Sequence, residues 1–189
     1  IKEDVKNYIR NSSHGEYVLY AGRLERFKRV DHIINALALL KRFCSKKIPL
    51  VIIGNGKVKN YLKKLSLKKG VKVYFQSFLS RREYLNYLSN SKVFINVSKS
   101  EAFSITAAEA LYLGIPTIIC KPWGLNFYGA KNLYLLPSDF QERYLANILY
   151  DLYVKEKYEE PKMAAYYNRK HVIYTWNHLK DRYIKCLYH

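Results

Sequence analysis

The sequence predicts a doubly wound α/β domain: a parallel β-sheet covered by helices on both faces, running on into a helical C-terminal segment. Three observations lead there. Six short runs are almost continuously apolar, as strands buried on both faces must be. Stretches with apolar residues at helical spacing separate the first five of these runs. The 189 residues, 49 % of them hydrophobic and 15 % aromatic, suffice for one core of ordinary size and argue against a disordered chain.

Taken in order, "YVLYAG" (Tyr17 to Gly22) reads as the first strand, followed by a helix over about Val30 to Phe43 with Val30, Ile33, Ile34, Leu37 and Leu40 on one side. "PLVIIG" (Pro49 to Gly54) is the second strand. After it comes a lysine-rich helix ending near Gly70, whose Val58, Tyr61, Leu62 and Leu65 share a face. "VKVYF" (Val71 to Phe75) is the third strand, and "RREYLNYLSN" a short helix. "KVFINVS" (Lys92 to Ser98) is the fourth, leading to a helix over about Phe103 to Leu113 that stops at Gly114. "PTIIC" (Pro116 to Cys120) and "NLYLL" (Asn132 to Leu136) complete the set. The remainder, from about residue 138 to 189, reads as helical throughout. Nothing resembling a linker interrupts the chain, so a single domain over 1–189 is expected.

A net charge of +18, from 33 Lys and Arg against 15 Asp and Glu, sets up a field that attracts polyanions, acidic membranes or phosphorylated small molecules. It does not choose among them. Lysines along a helix usually mean a solvated face, and many of the 19 tyrosines fall at core-facing positions, so specific nucleic-acid binding is not expected. The opening "IKEDVKNYIR" does not read as a signal peptide, and no apolar run reaches the ~18 residues of a membrane span. Cys44, Cys120 and Cys186 lack ligand spacing, which argues against a zinc site and for free thiols in the cytoplasm. The five histidines are scattered and form no set with Ser or Asp.

Ligands of such sheets bind outside the carboxyl ends of the strands, which singles out the loops there. After the first strand, Gly22 permits a sharp turn, and Arg23 and Lys28 project beside a helix N-terminus. That is a natural diphosphate site, although surface cations are the plain alternative. Neither a nucleoside-triphosphatase P-loop nor G-x-G-x-x-G is present, which disfavours dinucleotides. The Gly-x-Gly of "GNGK" reads as a tight turn first and a phosphate cradle second. After the fourth strand, "SKSEAFSITAAEALYLGIP" places Glu101 in the loop, Phe103, Ser104 and Ile105 at the helix start with unpaired N–H groups, and Glu109 in the second turn. A carboxylate can accept two hydroxyls at once. One acid can thus hold a ribose and the other a transferred sugar, with cations on the diphosphate between them. A hydrolase pair would need the two carboxylates across a scissile bond, and one loop and its helix place them poorly for that.

The pieces "YAGRLERFKRVDHIINAL", "LVIIGNGK", "SEAFSITAAEALYLGIPTI" and "YTWNHLKDRYIKCLY", in that order, resemble the C-terminal half of a retaining glycosyltransferase of family 4 with the GT-B fold, a Rossmann-like domain. The resemblance covers most of the chain, and its most specific element is Glu-x7-Glu within S-x-x-E-x-F. It implies a UDP- or GDP-sugar site. Arg23 and Lys28 then match the cations on the diphosphate, Glu109 the ribose ligand, Glu101 the sugar ligand, and Phe103, Ser104 and Ile105 the backbone donors. It implies no metal or other cofactor. The final helix would cross back to an N-terminal acceptor domain absent from this chain, so the isolated domain is expected to bind donor weakly and not to transfer sugar alone. The family's "E-G-F-G" stands here as "EAFS", with Ala102 and Ser104 in the glycine places, and Ser77 also replaces a frequent glycine. Phe78 and Leu79 are expected near the base. The expected protein is a cytoplasmic hexosyltransferase, peripheral to an anionic membrane surface. The rival expectations are a non-catalytic nucleotide-binding relative and a basic membrane- or nucleic-acid-binding module.

Overall fold

The computed structural model describes residues 15–170 apart from 45, 122–126 and 128. Strands β1 (Gly15–Ala21), β2 (Leu50–Ile53), β3 (Val73–Gln76), β4 (Ser91–Asn96), β5 (Thr117–Cys120) and β6 (Leu133–Leu136) alternate with helices. These are α1 (Val30–Phe43), α2 (Lys59–Lys69), α3 (Arg81–Ser89), α4 (Ile105–Tyr112) and α5 (Glu142–Tyr153). A 3-10 turn, Arg26–Lys28, precedes α1, and residues 161–170 are also helical. The closing segment "YTWNHLKDRYIKCLY" lies outside the described residues.

All strand pairings are parallel, in the order β3-β2-β1-β4-β5-β6. Each run expected to be a strand is one. In the central strands, Tyr17 to Tyr20, Leu50 to Ile52 and Val93 to Ile95 are all buried, which requires helices on both faces. The edge strands β3 and β6 are only half-buried. β3 begins two residues later than expected because Gly70 (φ +62°) closes α2 and the Val71 N–H donates to Ser66 O at 3.0 Å. On α1, Val30, Ile33, Ile34, Leu37 and Leu40 form the buried stripe the sequence predicts. On α2 the stripe is narrower than expected: Leu62 is buried and Val58 and Leu65 are half-buried, but Tyr61 is 54 % exposed. Tyr61 sits one step to the side of the 58–62–65 line, at the margin of the face.

Two asparagines bind the C-terminal part to this body. Buried Asn132 donates to Gly114 O and Glu159 O, both at 2.9 Å, and accepts from the Glu159 N–H at 2.8 Å. Buried Asn168, within helical residues 161–170, donates to Leu111 O at 2.7 Å and accepts from the Lys131 N–H at 2.8 Å. Such bonds satisfy buried backbone groups that would otherwise be costly.

Candidate functional site

Strand order reverses its direction of growth between β1 and β4. At such a switch point the loops leaving two neighbouring strands diverge and open a crevice. Those loops are Gly22–Arg29 and Val97–Ser104, and the structure joins them. The Lys99 N–H donates to Phe27 O at 2.7 Å, and Arg29 Nε donates to Val97 O at 2.7 Å. Across them, Lys28 Nζ meets Glu101 Oε2 at 2.6 Å, the lysine almost wholly buried and the glutamate mostly so. A cation buried to this degree needs a partner of opposite charge.

Arg29 holds the turn in place from behind. Its backbone is left-handed (φ 51°, ψ 39°), uncommon for a non-glycine residue, where it ends the 3-10 turn and caps α1. Its guanidinium also donates to Ser138 O at 2.6 Å and Cys120 Sγ at 3.3 Å, and lies over the Phe140 ring. Arg23 is exposed, and its carbonyl accepts from the Tyr20 hydroxyl at 2.8 Å. Burial, and after it the charge of Glu101, pushes the Tyr20 phenol well above its ordinary range, so it remains a donor. Gly22 leaves room for that hydroxyl, because a Cβ there would stand 3.0 Å from Tyr20 Oη.

In the second loop, α4 begins at Ile105 with Ser104 as its N-cap, two residues later than expected. Ser104 Oγ accepts from the Ala107 N–H at 3.2 Å and from Asn96 Nδ2 at 3.0 Å. The Ile105 and Thr106 N–H groups at the helix start have no partner within the helix, and the hydroxyl of Ser104 is already committed to the cap. Phe103 packs its ring on Phe127, with centroids 5.2 Å apart. Neither Ala102 nor Ser104 needs positive φ: among the described residues the non-glycines that have it are Arg29, Phe78, Asn132 and Glu156. The departures from glycine thus cost nothing in the backbone.

Glu109 faces away from Lys28 and toward α3. Its Oε1 accepts from Arg81 Nη2 at 2.5 Å and its Oε2 from the Tyr84 hydroxyl at 2.7 Å. α3 presents these two side chains because a capping box fixes its start, with Ser80 Oγ accepting from the Glu83 N–H and Glu83 accepting from the Ser80 N–H. Burial, then the bond to Glu109, raises the Tyr84 pKa far above that of a free phenol. Sequence reasoning missed Arg81, Tyr84 and Asn96. Asn96 is buried and donates toward both Ser104 and Glu101 (3.5 Å), so one amide orients the cap and the carboxylate. A polar residue at the carboxyl end of an otherwise apolar strand was the available signal.

The Gly-x-Gly turn is structural. A Cβ on Gly54 would stand 2.0 Å from Gly22 O, and one on Gly56 would stand 2.3 Å from Leu24 O. These glycines let the second loop of the sheet pack directly on the backbone of the first. Phe78, expected near the base, is 93 % exposed and has φ 55°. A concavity of about 520 Å³ on the flank of the first loop, lined by residues including Glu25, Arg26, Lys57 and Tyr61, holds neither Glu101 nor Glu109. Among the described residues no cluster of His, Cys, Asp and Glu is placed to hold a metal ion.

A parallel sheet in this order, flanked by helices and with its switch point between β1 and β4, defines a doubly wound, Rossmann-like α/β domain. The chain belongs to the family described as glycosyl transferases group 1, whose model matches residues 2–171. It is 32 % identical over 111 residues to an uncharacterized glycosyltransferase of Methanocaldococcus jannaschii, covering 57 % of this chain and 28 % of the relative. It is 25 % identical over 157 residues to the uncharacterized glycosyltransferase YqgM of Bacillus subtilis, covering 82 % of this chain and 44 % of YqgM. The chain thus spans less than half the length of either. The crystal structure of HepE from Anabaena in complex with UDP-glucose has the same fold (TM-score 0.75, 17 % identity, 97 % of this chain and 52 % of HepE).

Proposed function

We propose that this chain is the donor-binding domain of a retaining family 4 glycosyltransferase, which moves a hexose from a nucleoside diphosphate to an acceptor hydroxyl. The observation that carries the reading is the Lys28–Glu101 bridge across the switch point. An ammonium has three N–H donors, and Glu101 uses one of them here. The others remain for phosphate oxygens, joined by Arg23 and by the Ile105 and Thr106 N–H groups, with the loop turning at Gly22. The catalytic contribution is electrostatic: Arg23 and Lys28 stabilise the departing diphosphate. Glu101 keeps lone pairs for the hydroxyls of the sugar. Glu109, already accepting from Arg81 and Tyr84, keeps others for the ribose. The Phe103 ring and the Ser104 hydroxyl, the latter committed to the cap, then shape the pocket wall.

The neighbour solved with UDP-glucose and the relatives called glycosyltransferases support this reading. The whole enzyme would add an N-terminal acceptor domain across the crevice and work in the cytoplasm at an anionic membrane surface. Calorimetric titration with UDP, GDP and ADP tests the site. One nucleotide should bind saturably, and Arg23→Ala and Glu109→Ala should each weaken it about tenfold or more, as losing a charged hydrogen bond does. In the full-length enzyme, Glu101→Ala should abolish turnover. If neither chain nor full-length protein binds any of the three nucleotides, the reading fails.

A further inference from the structure

The stretch from Lys57 to Lys72 takes no part in the site, apart from the turn that seats it. It carries seven lysines and no acidic residue. A solvated helix face accounts for lysines, but not for the large apolar side chains among them. Leu67 is 82 % exposed, Tyr61 54 %, and Phe43 at the end of α1 is 70 % exposed. On α2, Tyr61, Lys64, Leu67 and Lys68 recur at spacings of three and four, so apolar and cationic groups form one outward stripe. The ends of α1 and α2 converge beside it. Lys41 Nζ donates to Gly70 O at 3.4 Å, and Arg42, Lys68 and Lys69 line a common groove. The one carboxylate in that groove, Glu142, already accepts from Asn35 at 3.4 Å and lies 3.3 Å from His32.

We infer that this flank is a docking surface for an anionic lipid bilayer. Its lysines meet the lipid phosphates, while Leu67, Phe43 and Tyr61 enter the headgroup layer. Cations surrounding exposed apolar groups are the chemistry of an interface that is anionic outside and oily beneath. Nucleic acid also offers phosphates, yet its backbone gives Leu67 nothing to bury against. No helix among the described residues is long and apolar enough to cross a membrane. The inference identifies the surface behind the membrane partner named above. It uses no residue of the donor site, and its test involves no nucleotide, so the two readings stand or fall separately.

The test is cosedimentation of the 189-residue chain with phosphatidylcholine vesicles, with and without phosphatidylglycerol. Binding should require phosphatidylglycerol and weaken with salt. Each lysine near an anionic surface tightens partition about fivefold, so K64Q/K68Q/K69Q should lose about a hundredfold. The equally charged control K157Q/K162Q/K170Q, on exposed residues toward the β6 side, should lose little. Leu67→Ser should lose about tenfold, and that loss should persist at high salt. Unchanged urea midpoints keep the variants comparable. Equal losses in the two lysine triples, no preference for phosphatidylglycerol, or an indifferent Leu67→Ser would each overturn the inference. So would a short RNA duplex that displaces the vesicles while binding Leu67→Ser as well as it binds the parent.

Discussion

At Glu109 each carboxylate oxygen already has a donor, and both donors come from a helix that follows a different strand. An acid held this way is aimed before any ligand arrives, which reduces the ordering cost of binding. Any phenol keeps its proton at neutral pH, and burial, then the bond to Glu109, extends that to alkaline pH for Tyr84, so it stays a donor throughout. Tyr84→Phe removes one aiming bond and leaves the ring. Nucleotide affinity should fall about fivefold to tenfold, less than the full worth of a hydrogen bond to a charged group because Arg81 still holds Glu109, with a small change in stability. Unchanged affinity in calorimetry would mean that Arg81 alone aims Glu109. That Lys28 and Glu101 stand in turns, and Glu109 in the helix, beyond the carboxyl ends of two strands was legible in the sequence, because the apolar runs mark where the strands end. Their partners were not. That Lys28 meets Glu101, 73 residues away, and that Tyr84 meets Glu109 depends on strand order, which no local pattern encodes.

The elements themselves were legible almost throughout, because parallel strands buried on both faces leave an unambiguous apolar signature. Where boundaries moved, one side chain or one glycine explains it. α4 starts at Ile105 because Ser104 caps it, a role open to serine and closed to the alanine two residues earlier. The turn after β2 shows the reverse case, a motif whose look suggests phosphate and whose packing explains it. At Gly54, φ is +149° and a Cβ would fall 2.0 Å from Gly22 O, so any side chain forces the two loops apart. Gly54→Ala should cost about 3 kcal/mol in urea unfolding, the upper end of what overpacking a tight site typically costs. A loss under about 1 kcal/mol would show that the loops separate easily.

Across the whole molecule, buried acids that prefer to stay neutral set the alkaline limit. Burial pushes the Cys120 thiol from 9.0 up to about 11, against the opposing pull of Arg29, and Tyr20 and Tyr84 are raised as well. Their unfolded counterparts lose protons first, so the stability Cys120 contributes is complete below pH 9 and is lost as pH rises through about 11, while that of the two tyrosines is complete below pH 10 and is lost progressively above it. For Cys120 alone that amounts to about 2–3 kcal/mol. Urea midpoints should be flat through neutrality and fall in this window, and Cys120→Ala should lessen the fall. The same thiol touches Arg29, whose guanidinium reaches Val97, Cys120, Ser138 and Phe140 from the turn beside Lys28. Ser138 lies 109 residues downstream of Arg29. On a ribosome adding about 5–20 residues per second, the loop bearing Lys28 emerges roughly 5–20 s before its last anchor is made. Through that interval β2 to β6 are added and the partners at Val97, Glu101 and Cys120 emerge before Ser138, so the binding loop acquires its locks one after another from segments made long after it.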